Sequence, residues 1–348
     1  MRRCLEGLWK GIFMTNTLIM HMADGLISVP IGIVFFTMSL IVLGLSIKKI
    51  SHDEDEHKIP MMAVMGAFVF VMQMINFTIP GTGSSGHIGG GILLCLILGQ
   101  YPAFLSLCTV LIIQCLFFGD GGLLALGCNI FNMGILPCFV AYPLCVKPIL
   151  RQGVNVKSLS LASLLGVIVG LELGAFSVVI ETVCSQVTEL PFLTFLRFML
   201  PIHLVIGIIE GLITGAIIQY VYKQNPRMID HALINQSYSK LHMKKVIFVF
   251  SFAFVLIGGG LSIYASQYPD GLEWSIKQIT NQNEVQNDDS LHKSIEKIQN
   301  LTTILPDYHF LNSDNHIGVS TSGIVGGALT LIGIGFVGYM TSRKKNNE

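Results

Sequence analysis

The chain carries little charge. Asp, Glu, Lys and Arg make up 12% of its 348 residues, whereas 52% are hydrophobic, and soluble domains carry about 25% charged residues. Uncharged runs such as 159–171 and 246–267 recur along it, and a helix of ~20 apolar residues crosses the hydrocarbon of a bilayer. This scarcity excludes an ordinary soluble domain and predicts a multi-pass protein of the plasma membrane, in contact with lipid.

Several signatures of other functions are also missing. The eight cysteines form no C-x-x-C pair, so no thiolate metal site is expected; most should be small packing residues, with Cys184 exposed. No basic patch with interleaved aromatics exists, which argues against a nucleic-acid partner. Residues 81–86 match G-x-G-x-x-G, but His87 stands where a P-loop needs Lys. We therefore expect no ATP hydrolysis by this chain, no enzymatic activity and no resident cofactor.

The chain is instead rich in apolar sequence. Nine apolar segments predict an all-α polytopic fold. They lie near 27–47, 61–78, 88–99, 103–118, 129–146, 158–182, 201–222, 245–266 and 321–341. The third is short and glycine-rich, as expected of a tilted or partly re-entrant helix that lines protein. Lys and Arg cluster after the first, fifth, seventh and ninth segments. By the positive-inside rule, the N-terminus is outside and the C-terminus is cytoplasmic.

The polar stretch 224–244 divides the chain into two predicted modules. Residues 20–223 form a seven-span membrane module, and 245–341 form a two-span module whose outside insert covers 269–315. Residues 1–19 are an extension that lacks a signal-peptide cleavage site. We expect translation to begin at Met20, with cleavage of a leader as the alternative.

Two histidines on the outer face predict a metal site. His21 precedes the first segment, and His87 ends a glycine-rich loop that we expect to be flexible. If Met20 is the mature N-terminus, its amine, the His21 amide nitrogen and His21 Nδ1 form fused chelate rings, and His87 adds a fourth nitrogen. Four nitrogens in a plane suit Ni(II) and low-spin Co(II). The set disfavours Zn(II), Mg(II) and Ca(II).

The roles of several other polar residues can be interpreted in two ways. Asp120 and Asn129 either brace this site or cap helices, and Asp24 with Gly25 forms a turn and cap before the first helix. For the polar residues within or near spans, a buried network is favoured over metal transit; these are Glu172, Glu181, His203 and Glu210. Glycines spaced by four in the sixth and seventh spans predict close approach of those helices; these are Gly166, Gly170, Gly174, Gly207, Gly211 and Gly215.

Several segments resemble a known family. They are 20–25, 76–87, 118–133 and, more weakly, 203–214. Together they resemble the membrane substrate-capture subunit of the energy-coupling-factor cobalt/nickel transporters. Pro269–Trp274 (Pro-Asp-Gly-Leu-Glu-Trp) resembles the motif of the small accessory subunit, which is often fused in nickel-type members. The resemblance covers nearly all of residues 20–341.

The resemblance implies an ion-uptake subunit that binds Ni(II) or Co(II), with nickel favoured. Its metal ligands are Met20, His21 and His87. In the functional interpretation of their neighbours, Asp120, Asn129 and Asn132 brace the N-terminal segment and His87 by hydrogen bonds. Its partners are a transmembrane coupling subunit and cytosolic ATPase subunits. An acylated Met20 nitrogen is an amide, so the four-nitrogen site requires that 1–19 be absent from the mature chain.

Two alternatives stay open from the residues alone. A secondary transporter driven by an ion gradient would use Glu172 and Glu210, but inverted repeats, which would favour it, are not seen. An intramembrane metalloenzyme would need a carboxylate beside its metal, as in H-E-x-x-H, and the sequence has no such motif.

Overall fold

The computed structural model describes residues 21–51, 58–234, 243–282, 289–310 and 316–345. Met20 and the extension 1–19 lie outside the described residues. The helices are α1 (Val29–Ser51), α2 (Lys58–Gln73), α3 (Gly91–Leu98), α4 (Gln100–Phe118), α5 (Leu126–Arg151), α6 (Val156–Ser185), α7 (Phe192–Gln224), α8 (Pro226–Ile234), α9 (Lys244–Gly259), α10 (Gly271–Thr280), α11 (Ser290–Thr302) and α12 (His316–Lys345). A single hairpin in the described part pairs β1 (Phe77–Ile79) with β2 (Ser84–Gly86).

The helices show an all-α polytopic membrane protein. Within the described residues, six helices are long and apolar enough to cross a bilayer: α1, α4, α5, α6, α7 and α12. The other three predicted segments correspond to the shorter helices α2, α3 and α9. Large apolar side chains point outward, among them Leu45 at 59%, Leu212 at 61% and Ile332 at 69% exposure. Such exposure suits a lipid-facing surface. The orientation of the termini stays a prediction.

Two helices depart from regular α-geometry. The last turn of α4, Gln114–Phe118, is π-helical, and so is Phe131–Val146 within α5, which contains Pro137 and Pro143. Proline removes a backbone donor and displaces the preceding carbonyl, which accounts for a widened helix at this point. The widened part of α5 begins next to the candidate site described below.

The short third segment is a buried helix. Every residue of α3 is buried, and Gly90 and Gly99 at its two ends have positive φ angles of 77° and 83°. Glycine adopts these angles without a steric penalty, so the chain changes direction sharply at both ends. The burial agrees with the prediction of a segment that lines protein rather than lipid.

The glycine spacing of α6 and α7 has two different uses. A Cβ on Gly211 would lie 2.9 Å from Leu164 Cα, and one on Gly207 would lie 3.3 Å from Ile168 Cα, so this face of α7 does approach α6 closely. The glycines of α6 instead face α5: a Cβ on Gly174 would lie 3.0 Å from the Asn132 carbonyl oxygen. The predicted close approach of the sixth and seventh spans is therefore confirmed, but only the glycines of α7 make it, because α6 uses its small residues to admit the widened α5.

The second module folds over the first. Helices α9 and α12 pack against α2, α10 packs against α7, and α11 lies against the end of α4. The stretch predicted as a polar linker contains α8, which buries Met228, Ile229 and Ala232 and packs against α3. Part of the linker is thus an amphipathic helix held on the first module.

Candidate metal centre

His87 is positioned by the β1–β2 hairpin. The strands pair Phe77 with Gly86 and Ile79 with Ser84, and the turn between them uses positive φ angles at Gly81 and Gly83. The flexible loop predicted here is therefore an ordered antiparallel turn. Fixing its register fixes where His87, the residue directly after β2, leaves the hairpin.

The second module covers this hairpin. Ser85 N donates to the Pro269 carbonyl at 2.8 Å, and Ser85 Oγ donates to the Tyr268 carbonyl at 2.7 Å. Trp274 Nε1 donates to the Thr82 carbonyl at 3.0 Å. The Pro269–Trp274 motif is thus bonded to the segment that carries His87.

The N-terminal segment is held by side-chain contacts from the first turn of α5 and by a backbone contact from the loop before it. Asn129 Oδ1 accepts from Met22 N, and Asn129 Nδ2 donates to the Met22 carbonyl, both at 3.1 Å. Gly122 N donates to the same carbonyl at 3.0 Å. Gly121 has a φ of +82°, and a Cβ there would lie 2.8 Å from His21 Cβ, so the segment can lie this close only because the loop residue is glycine.

His21 is buried beside His87. It is 4% exposed, and the two imidazole centroids are 5.5 Å apart with planes inclined at 56°. His21 Nδ1 lies 2.9 Å from Asp120 Oδ1, whereas Nε2 has no hydrogen-bond partner within the described part of the chain. Burial alone lowers the pKa of His21, but the charge and hydrogen bond of Asp120 outweigh it and hold the pKa above its usual value.

Asp120 bridges His21 to the second module. Its Oδ2 accepts a 2.6 Å hydrogen bond from Tyr308 Oη. Burial raises the pKa of Asp120, but His21 and Tyr308 stabilise the carboxylate, so the pKa lies below its usual value.

The Tyr308 ring stacks on Phe118 at 5.0 Å, and Asp307 and Tyr308 both have positive φ, at 50° and 63°. Holding a residue at positive φ costs about 1–3 kcal/mol of conformational free energy. The contacts of Tyr308 with Asp120 and Phe118 keep the turn in this conformation.

Two predicted roles change. Asn132 Nδ2 donates to Glu181 Oε2 at 2.9 Å, so Asn132 braces α6 rather than the N-terminal segment. Asp24 and Gly25 do form the predicted turn, but Asp24 Oδ1 accepts from Ala125 N at 2.9 Å, so its carboxylate binds the residue just before α5 rather than capping the first helix. The reason is the same for both: each residue bonds to an element distant in sequence rather than to its own neighbours.

Asp270, in the accessory motif, lies on the same site. Its Oδ1 accepts from Glu273 N at 2.8 Å and caps α10. Asp270 is 5% exposed, and burial raises its pKa to about 7. It shares with His21 and His87 the lining of one cavity of about 110 Å³. A positive ion in that cavity would favour the charged form of this carboxyl.

The cavity extends from the histidines into the helical bundle. Glu210 and His203 of α7 also line it, together with Asn129, Asn132, Met133 and Met199. Within the described residues, no group of three or more His, Cys, Asp or Glu side chains could hold a metal ion by itself.

Four residues of the second module contact the candidate site in ways that the sequence analysis did not predict. Tyr308 and Asp270 have been described above. In addition, Gln299 Nε2 donates to the Gly121 carbonyl at 2.8 Å, and His292 Nε2 lies 3.0 Å from the Ile27 carbonyl. Only the acidic Pro-Asp-Gly-Leu-Glu motif carried a signal, through its resemblance; Tyr308, Gln299 and His292 lie in polar sequence without a pattern.

Comparison with known proteins places the chain in a family. Residues 21–228 match the family described as the cobalt uptake substrate-specific transmembrane region, and residues 244–343 match the PDGLE domain. A putative fused nickel transport protein of Archaeoglobus fulgidus is 29% identical over 90% of this chain and 96% of its own length. A probable fused nickel transport protein of Lactiplantibacillus plantarum is 31% identical over 55% of this chain and 58% of its own length.

A solved structure of a transition metal transporter is also similar. It is 31% identical, covers 61% of this chain and 98% of its own chain, and superposes with a TM-score of 0.53. These relatives are named as transport proteins, in agreement with transport rather than catalysis. The chain belongs to the family of cobalt-uptake substrate-specific transmembrane proteins, in the form fused to a PDGLE domain.

Proposed function

We propose that this chain captures Ni(II) or Co(II) at the outer face of the membrane and is the substrate-binding subunit of an ATP-driven uptake transporter. The observation that carries the proposal is the buried pair of His21 and His87, 5.5 Å apart between ring centroids. With metal–nitrogen bonds of about 2 Å, two imidazoles on one ion have centroids ~4–6 Å apart. Relatives named as nickel transport proteins favour nickel over cobalt.

The proposed ligands are the Met20 amine, the His21 amide nitrogen, His21 Nδ1 and a His87 nitrogen. Four nitrogens in a plane are the donor set that Ni(II) prefers. Because Nδ1 faces Asp120 in the structure, the chelate requires the His21 imidazole to make a half-turn about Cβ–Cγ. That turn exchanges Nδ1 with Cδ2 and Nε2 with Cε1, so Nδ1 is freed for the metal and Nε2 takes the ring position adjacent to the one that faces Asp120 in the structure.

Residues around the ligands hold them in place. Asp120 orients His21, as carboxylates orient metal-bound histidines in many sites, and Asn129 holds both the N–H and the carbonyl of Met22. Asn132 is bonded to Glu181, so it does not hold a ligand directly. The Pro269–Trp274 motif is bonded to the hairpin, so we expect the second module to govern access to the site.

Inward delivery requires an energy source that this chain lacks. Its sequence has no usable P-loop. We infer that separate cytosolic ATPase subunits and a transmembrane coupling subunit drive the rearrangement that exposes the ion inward. The ion is the transported substrate, and the proposed function needs no bound cofactor.

The test is nickel binding by the purified full chain. The double variant His21→Ala, His87→Ala should show no saturable binding at nickel concentrations that saturate the wild type, because both imidazole donors are gone. The matched control is His231→Ala, a histidine in α8 and remote from the cavity lining, which should bind as the wild type does. Unchanged affinity in the double variant would rule out the proposed ligands.

A further inference from the structure

We propose that α11 binds lipid directly: its apolar stripe inserts into the membrane leaflet on the side of the candidate metal centre. The stripe consists of Leu291, Ile295, Ile298 and Leu301. The inference concerns a contact with lipid and not with metal, so it goes beyond the proposed function and does not depend on it.

The seven-residue spacing along α11 separates three faces of the helix. Residues seven apart share a face, and successive residues are turned by about 100°. His292 and Gln299 form one face and are buried, whereas Leu291 and Ile298 form the next and are 45% and 56% exposed. Asn300 lies on the other side of the buried face and is exposed. The helix therefore has a buried polar face, with an exposed apolar face on one side and an exposed polar face on the other.

The face that α11 presents to the first module is polar. His292 Nε2 lies 3.0 Å from the Ile27 carbonyl oxygen, and Gln299 Nε2 donates to the Cys115 carbonyl at 3.0 Å. On a protein surrounded by water, an amphipathic helix buries its apolar stripe and exposes its polar side. Here the described part of the chain leaves the apolar stripe exposed. Because apolar surface is stabilised by removal from water, the stripe needs an apolar environment outside this chain.

The position of α11 identifies lipid as that environment. Ile27 lies two residues before α1, and Cys115 lies three residues before the end of α4; both helices are long and apolar enough to cross a bilayer. At 1.5 Å per residue, α11 attaches within about 5 Å of the ends of two membrane spans. Helices that bind a membrane surface bury their apolar side about 5–10 Å into the boundary of headgroups and acyl chains. The stripe thus lies at the depth where such a helix binds lipid.

Other apolar side chains of the second module lie at the same boundary. Leu301, at the end of the stripe, is 80% exposed. Ile304 is exposed, while its N–H donates to the Phe117 carbonyl in the last turn of α4. Ile317 is exposed in the first turn of the membrane span α12. The apolar surface of this module is therefore concentrated where the spans end.

A lipid contact at the stripe would help to hold the second module over the candidate metal centre. Besides its bond to Cys115, Gln299 Nε2 donates to the Gly121 carbonyl at 2.8 Å. Gly121 is packed against His21, since a Cβ on this glycine would lie 2.8 Å from His21 Cβ. The stripe and Gln299 belong to one helix, so lipid on one face and the loop on the next would restrain α11 together.

The experiment is tryptophan quenching in vesicles of phosphatidylcholine whose acyl chains carry bromine next to the headgroup. Bromine quenches only an indole that it contacts. The purified full-length chain is compared as Ile298→Trp and as Asn300→Trp, two exposed positions on different faces of α11. The two native tryptophans are present in every sample, so the wild-type signal is subtracted. Vesicles of the same lipid without bromine give the unquenched reference.

Ile298→Trp should lose most of its added fluorescence in the brominated vesicles, whereas Asn300→Trp should keep it. Leu291→Trp repeats the measurement on the face of Ile298 and should be quenched as well, which guards against a local defect of a single variant. Added fluorescence at both apolar positions that bromine leaves unchanged would overturn the proposal, because the stripe would then face water or another protein. Equal quenching of Asn300→Trp would overturn it too, because α11 would then not contact lipid through its apolar face alone.

Discussion

Asp120 connects the candidate metal centre to the second module. One of its oxygens lies 2.9 Å from His21 Nδ1, and the other accepts from Tyr308 Oη at 2.6 Å. All three side chains are buried. A hydrogen bond to a charged group contributes about 1.5–3 kcal/mol, so each contact restrains the orientation of the carboxylate and, through it, of His21.

We expect Asp120→Asn to weaken nickel binding by about 10–100-fold, the usual effect of losing a carboxylate that orients a metal-bound histidine. Isothermal titration of the purified chain measures this. The control is Asp230→Asn, an exposed carboxylate on α8; its affinity should not change. Equal affinity of Asp120→Asn and the wild type would show that Asp120 does not orient a ligand.

The sequence predicted part of this site. His21 and His87 were paired because both flank apolar segments on the same expected face, and the structure does bring them together. Tyr308 could not be found in this way. Its hydrogen bond to Asp120 joins residues 188 positions apart, and it depends on a backbone turn at Asp307 that no periodicity or motif signals.

At the scale of elements, the packing of α6 against α7 depends on the absence of side chains. A Cβ on Gly211 would lie 2.9 Å from Leu164 Cα, a backbone atom that cannot move aside alone. The spacing of glycines predicted that α6 and α7 approach closely, and the glycines of α7 do meet α6. It could not show that the glycines of α6 meet α5 instead, because a small-residue repeat is equally suited to any neighbour.

Gly211→Ala should therefore destabilise the protein. Overpacking costs about 1–3 kcal/mol, which exceeds the gain of up to about 1 kcal/mol from replacing glycine by alanine within a helix. Thermal unfolding in detergent measures the change. Gly44→Ala in α1 is the control, because a Cβ there has no neighbour within 4 Å. A melting temperature that is not lowered by Gly211→Ala would contradict the close-packing account.

At the scale of the whole molecule, the two modules form the site together. Hydrogen bonds from Tyr308 and Gln299 reach Asp120 and Gly121, and Asp270 lines the cavity. The apolar segments predicted the membrane helices because hydropathy reports burial in lipid directly. The folding of the second module over the candidate metal centre was not predictable, since its contacts are between polar side chains and main-chain groups.

The most direct test of the account is X-ray absorption spectroscopy of nickel bound to the mature full-length chain, with the N-terminal mass measured on the same sample. We expect an N-terminus at Met20 and four nitrogen neighbours in a square-planar arrangement. A spectrum of six oxygen neighbours, or a chain that binds nickel stoichiometrically while residues 1–19 remain attached, would contradict it.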